Sequence, residues 1–179
     1  MKRVLVISSS LRNGSNSEIL AKKFFEGAKE AGNDVEYLSL KNKQINFCKG
    51  CLACQQTRKC IIDDDMNKIN DKIKNADVLC FASPIYYYGM SGLLKTMLDR
   101  VNPLYGIDYK FREIYLIATC YDADPLCLER FVNGIEGWTS CFEKCSIKGI
   151  LKGNSLNEPN EANDNQEKLN EAYKLGLNI

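Results

Sequence analysis

The chain has 179 residues, 45% hydrophobic and 26% charged, with 24 Lys plus Arg against 23 Asp plus Glu, nine Cys and no His. That length fits one domain or a tight pair, and a formal charge of +1 supplies no global attraction to nucleic acid or to an anionic membrane. The missing histidine excludes Ser-His-Asp and Cys-His catalysis, His-bearing zinc sites and any imidazole proton shuttle built from this chain alone.

Residues 4–7, a continuous apolar run with β-branched members, read as a strand covered on both faces. Leu20, Phe24, Ala28 and Ala31 then recur at helical spacing up to Gly32, a suitable C-terminal stop. Residues 35–40 form a second strand. Asp63, Asp64 and Asp65 announce the next helix, whose face is Met66, Ile69, Ile73 and Ala76; an acidic triplet there serves capping and the helix dipole rather than a metal. A third strand over 78–82 precedes a helix striped by Leu94, Met97, Leu98 and Val101. A fourth strand over 114–118, a helix around 126–142, a fifth strand around 147–151 and a last helix through Leu169, Ala172, Tyr173 and Leu177 complete the chain.

Strands alternating with helices on short connections predict a doubly wound five-stranded parallel sheet with helices on both faces, an α/β fold. No repeat or linker divides it, so one domain is expected over residues 1–179, with long irregular stretches at 41–62, 102–110 and 153–165. The apolar run at 4–7 is too short for a signal-peptide core, and the stretch from 78 to 94 is broken by Pro84 and by glycines and serines. A cytoplasmic protein with mostly reduced thiols is expected. Nine cysteines cannot all pair internally.

In such sheets ligands sit beyond the carboxyl ends of the strands, so the loops after strands one, three and four should line one site. The first, residues 8–17, carries Ser10, Arg12, Ser15, Asn16 and Ser17 at the entry to a helix. A phosphate needs short donors, a helix N-terminus and a guanidinium, and this loop supplies all three. Helix capping by Ser15 or Asn16 is the plainer alternative, but one cap needs one such residue. Neither glycine-rich nucleotide signature occurs, which disfavours a dinucleotide-binding domain and a P-loop NTPase and suits a monophosphate such as that of FMN. After the third strand come Ser83, Pro84, Ile85, Tyr86, Tyr87, Tyr88 and Gly89. Three consecutive tyrosines cannot all face a core, so at least one meets a flat heteroaromatic ligand, a partner chain, or both.

The runs at 10–17, 83–86 and 95–100, in that order, resemble the NAD(P)H-dependent FMN reductase family of flavodoxin-like proteins. The resemblance implies that Ser10, Arg12, Ser15, Asn16 and Ser17 hold the FMN phosphate. It implies that Pro84, Ile85, Tyr86, Tyr87, Tyr88 and Gly89 line the isoalloxazine, and that Thr119 approaches its pyrimidine side. A glycine often follows that threonine in the family, whereas here Cys120 and Tyr121 follow. Asp99 and Arg100 recur in the family but read as structural partners at a helix end, and no catalytic residue is assigned.

Cys48, Cys51, Cys54 and Cys60 form a C-x2-C-x2-C-x5-C run whose gaps let successive thiolates turn inward around a compact inorganic core. With Gly50 and the residues 64–66, the run resembles the iron-sulfur flavoprotein branch of the same family, which carries a 4Fe-4S cluster beside FMN. Zinc, redox disulfides and thiols kept without a cluster are the alternatives. The other five cysteines read mostly as small core residues.

The expected function is an FMN-dependent NAD(P)H oxidoreductase that passes electrons to a quinone, flavin or redox-protein acceptor, through the cluster if one is bound. By resemblance a homodimer or higher oligomer is expected, and by charge and hydropathy no nucleic-acid or membrane partner. A non-enzymatic flavodoxin-type carrier and a cysteine-loop metal or redox sensor are the rivals. Such carriers are typically acidic, against a net charge of +1 here.

Overall fold

A computed structural model describes residues 1–179, apart from the side chain of Pro125. Its elements are β1 (Arg3–Ser8), α1 (Asn16–Glu30), β2 (Asp34–Ser39), α2 (Ala53–Thr57), α3 (Met66–Asn75), β3 (Val78–Tyr86), β4 (Gly89–Met90), α4 (Gly92–Asp99), β5 (Glu113–Thr119), α5 (Glu129–Thr139), β6 (Ser146–Gly153) and α6 (Gln166–Leu177). Five strands are parallel in the order β2-β1-β3-β5-β6, and β4 adds a short antiparallel return to β3. This is the flavodoxin-like doubly wound arrangement expected.

Alternate residues along each central strand feed two cores. Val4 and Val6 of β1, Val78 and Cys80 of β3 and Ile117 of β5 pack with Leu20, Phe24 and Ala28 of α1 and Ala172 of α6. Leu5 and Ile7, Leu79 and Phe81, and Ile114 and Leu116 face the other way, onto Met66, Ile69, Leu94, Met97 and Phe131 of α3, α4 and α5. Burial on both faces is why these strands appear in the sequence as unbroken apolar runs.

α1 and α6 touch backbone to backbone. A Cβ on Gly27 would lie 2.1 Å from the Tyr173 carbonyl oxygen, and one on Gly176 would lie 2.0 Å from that of Phe24. Along the β5–β6 ladder, Lys148 is an extra residue between the pairs Ile114–Ile147 and Tyr115–Gly149. Gly149 leaves room for the Tyr115 ring, 3.0 Å from where its Cβ would stand.

Several boundaries differ from those the sequence predicts. β3 runs four residues past Ala82 and doubles back through β4, because Ile85 pairs with Met90 and Tyr86 with Gly89. The helix expected around 126–142 is α5, at Glu129–Thr139, with a 3-10 turn over Pro125–Leu128 before it. The stretch at 41–62 contains the five-residue α2, bounded by Leu52 and Arg58 in left-handed conformation. No helix is long and apolar enough to cross a membrane among the described residues.

Candidate functional site

Strand order reverses between β1 and β3, and the crevice at their carboxyl ends is where a ligand fits an open α/β sheet. Serines sew its two walls together. Ser9 donates to the Ala82 carbonyl through its N–H at 3.0 Å and its hydroxyl at 3.1 Å. The Ser91 hydroxyl donates to the Ser9 Oγ at 2.9 Å, and the Ser91 N–H to the Ser83 Oγ at 3.0 Å. All three are buried. Sequence reasoning missed Ser9, Ser83 and Ser91, since contacts such as Ser9 to Ser91 are created only when parallel strands bring distant loops together.

The loop after β1 is likewise buried at Ser10, Ser15, Asn16 and Ser17. Ser15 caps α1, accepting from the Glu18 N–H at 3.4 Å, and its hydroxyl meets that of Ser17 at 3.1 Å. One cap therefore needs one residue. Asn16 instead grips a distant segment: its Nδ2 donates to the Glu158 carbonyl at 2.9 Å and its Oδ1 accepts from the Ala162 N–H at 3.0 Å. Arg12 donates to the Asn157 carbonyl at 2.6 Å and lies 3.7 Å from the Glu158 carboxylate. The Asn160 N–H donates to the Gly14 carbonyl at 2.8 Å, and Gly14, at φ +67°, leaves the space that the Asn160 side chain fills. Residues 156–162 thus form a strap across the loop. Among the described residues the N–H groups of Asn13, Gly14, Asn16 and Ser17 have no acceptor, and they cluster at the start of the 15-residue α1. That donor set suits a phosphate monoester, with positive helix-dipole character behind it.

The tyrosine run is a hairpin. Tyr87 and Tyr88 turn at φ 49° and 64°, the geometry of a type I′ turn in which Asn-Gly is the usual pair. Tyr87 is wholly exposed, and Tyr86 and Tyr88 about half so. The Tyr88 hydroxyl donates to the Asp122 carboxylate at 3.2 Å, an interaction that raises its phenol above the ordinary value, and the Arg130 guanidinium stands 5.8 Å from its ring centroid. Two bulky residues in left-handed conformation cost about 1–2 kcal/mol each, a strain of the kind concentrated at ligand-facing turns.

A cavity of about 160 Å³ opens where these loops meet. Ser10, Arg12, Ser15 and Asn16 line one side, Pro84, Ile85 and Tyr86 another, Thr119, Cys120 and Tyr121 a third, and Leu156 and Asn157 of the strap close it. Ser17 lies behind the wall, fully buried, and Tyr87, Tyr88 and Gly89 extend beyond the rim. A larger groove of about 330 Å³ at the opposite edge of the sheet is lined by Arg3, Asp34, Glu36 and Lys72, which pair with one another.

The cysteine loop is tied at its base. Gln44 and Asp65 exchange hydrogen bonds, and Asp64 accepts from the Asn46 and Met66 N–H groups. Arg100 grips Asp64 with two nitrogens at 2.8 and 2.9 Å, both side chains essentially inaccessible to water. Burial pushes the Asp64 carboxyl up, but hydrogen bonds from Arg100, Asn46 and Met66 outweigh it and hold it at about 2. Asp64 and Asp65 thus anchor a loop, and Arg100 is the structural partner expected. Above this base Cys48 and Cys51 are exposed, Cys54 is buried with its sulfur accepting from Asn102 at 3.2 Å, and Cys60 is partly buried near Arg100. Among the described residues no three Cys, Asp or Glu side chains converge as metal ligands.

The sequence profile of the NADPH-dependent FMN reductase family matches residues 2–121. The chain belongs to that family. An iron-sulfur flavoprotein of Methanocaldococcus jannaschii is 38% identical over 57% of this chain and 53% of its own length. YwqN of Bacillus subtilis, described provisionally as an NAD(P)H-dependent FMN-containing oxidoreductase, is 33% identical over 97% of this chain and 96% of its own. The chain thus spans about half the length of the iron-sulfur flavoproteins it matches first, and nearly all of YwqN. An NAD(P)H:quinone oxidoreductase from Methanothermobacter marburgensis superposes with a TM-score of 0.79 at 18% identity, covering 99% of this chain and 95% of that one, which establishes the common fold.

Proposed function

We propose that this protein is an FMN-dependent NAD(P)H oxidoreductase that delivers electrons to a quinone, flavin or redox-protein acceptor. The observation that carries the reading is the set of acceptor-free N–H groups at Asn13, Gly14, Asn16 and Ser17, gathered at a helix N-terminus beside the crevice. Family membership supports FMN as the phosphate's owner.

Bound FMN supplies the exchange of electrons between a nicotinamide and the acceptor. The chain's own part is to bind and orient. Ser10, Ser15 and the loop N–H groups, that of Ser17 included, hold the phosphate, while the Ser17 hydroxyl braces Ser15 from behind and Arg12, fixed by the Asn157 carbonyl, adds charge at the rim. Asn16 acts one step back, holding the strap that keeps the loop in shape. Pro84, Ile85, Tyr86 and the strained turn through Tyr87, Tyr88 and Gly89 form the wall for the flat ring, and Thr119 closes the third side. The half-exposed rings of Tyr86 and Tyr88 leave aromatic surface for a planar acceptor or a second copy of the chain.

A visible spectrum of the protein after incubation with FMN and gel filtration tests this reading. Retained flavin bands that bleach anaerobically on adding NADH or NADPH are expected. No retained flavin would sink the proposal, and retained flavin that neither nicotinamide bleaches would make the protein an electron carrier. A second reading adds a 4Fe-4S cluster at Cys48, Cys51, Cys54 and Cys60, favoured by the 38% identity to an iron-sulfur flavoprotein. Iron and acid-labile sulfide in anaerobically purified protein decide it, and their absence would remove the cluster.

A further inference from the structure

Two cysteines share one niche at the edge of the cavity, one of them lining it, outside the flavin-binding roles just given. Cys120 follows β5 directly and lines the cavity, and Cys127 sits in the 3-10 turn before α5. Both are buried. Their sulfurs share an acceptor and a donor: they donate to the Asp122 carbonyl at 3.3 and 3.8 Å and accept from the Asn154 Nδ2 at 3.7 and 3.3 Å, respectively. Both side chains therefore point into one small polar niche, sharing the Asp122 carbonyl and the Asn154 amide. The same niche is a junction of three segments: Asp122 receives the Tyr88 hydroxyl, and Asn154 also donates to the Asp122 and Asp124 carbonyls.

We propose that Cys120 and Cys127 close into a reversible disulfide on exposure to an oxidant of the peroxide class, fixing the loop between them against the cavity. One sulfur attacks a peroxide oxygen, the O–O bond breaks, and a sulfenic acid forms as the first water leaves. The second sulfur attacks the first, the S–S bond forms and the second water leaves. Two S–H bonds are lost, the sulfurs together give up two electrons, and the peroxide takes both. Cys120 lines the cavity and Cys127 does not, so a small oxidant entering there meets Cys120 first. Burial above all pushes the Cys120 thiol up to about 12, so little thiolate exists at neutral pH and closure is slow there compared with oxidation of an exposed thiol.

The test treats apoprotein with hydrogen peroxide, blocks remaining thiols with iodoacetamide and maps peptides by mass spectrometry before and after dithiothreitol. The expected product is a Cys120–Cys127 linkage, two hydrogens lighter and unalkylated, that dithiothreitol returns to two alkylatable thiols. Cys127→Ser should lose the linkage and leave a dimedone-reactive sulfenic acid at Cys120. Both cysteines remaining alkylatable under conditions that oxidise the exposed Cys48 and Cys51 would overturn the proposal, as would pairing of Cys120 with any other cysteine or failure of dithiothreitol to reverse it. Protein loaded with FMN should close several-fold more slowly, because the flavin covers the way in. That arm alone rests on the flavin reading: equal rates in protein shown to hold FMN would overturn entry through the cavity. A protein that binds no FMN would fail the flavin reading and leave the apoprotein result to decide the disulfide.

Discussion

Tyr87 and Tyr88 occupy two left-handed positions that Asn-Gly fills at far lower cost. A turn that is unfavourable on its own is kept where its side chains serve a ligand. Replacing Tyr88 with Gly should therefore stabilise the apoprotein by about 1 kcal/mol through relief of the backbone, while weakening flavin binding. Thermal unfolding and FMN titration of the variant measure the two halves, and a lowered melting point would show that the Tyr88 contacts with Asp122 and Arg130 outweigh the strain. Asp64 makes the opposite case of a residue held in a favourable setting. Its carboxyl is depressed to about 2 from 3.8, so the folded state binds protons less readily than the unfolded one. The stability it confers is complete above the unfolded value and is lost as pH falls through about 2. Asp64→Asn, which leaves Arg100 buried with half a partner, should cost about 3–5 kcal/mol at neutral pH. Urea midpoints measured from neutral to acid pH should show the gap between variant and wild type narrowing.

At the scale of elements, α1 and α6 meet through glycines whose missing Cβ atoms let backbone touch backbone. In an exposed helix Gly→Ala would gain about 1 kcal/mol. At Gly176 the new methyl would stand 2.0 Å from the Phe24 carbonyl oxygen, which cannot rotate away, so Gly176→Ala should destabilise by about 1–3 kcal/mol or more. A rise in the chemical midpoint would mean that the helices separate freely. The sequence marked these helices by their apolar stripes, and it marked the five parallel strands because strands buried on both faces are written as solid apolar runs. It could not mark β4, two residues long, or α2, five residues without an apolar period, because neither carries a pattern long enough to read. The site was legible to the same degree. Ser10, Arg12 and Ser15 stood out because short donors precede an apolar helical stripe, while Leu156 and Asn157 gave no local signal, their place at the cavity being set by how β6 returns beside β5.

For the whole molecule, a ligand seated where three loops and the strap converge should stabilise the fold as a unit. FMN at a hundredfold excess over its dissociation constant adds about 2.7 kcal/mol, and the melting temperature should climb accordingly. Riboflavin, which offers the same ring without the phosphate, should give a smaller shift at equal concentration. Equal shifts would detach the loop after β1 from flavin recognition.

The family profile ends at residue 121, whereas Asn157, Glu158, Asn160 and Ala162 fasten the loop at 12–16 from outside that region. The matched region therefore does not by itself supply all the contacts that hold the loop at 12–16 in shape. A chain cut back to residues 2–121 would keep the loop's sequence but lose the amide clasp of Asn16 and the carbonyl that seats Arg12. Likeness to the family profile therefore does not extend to the contacts that shape this loop.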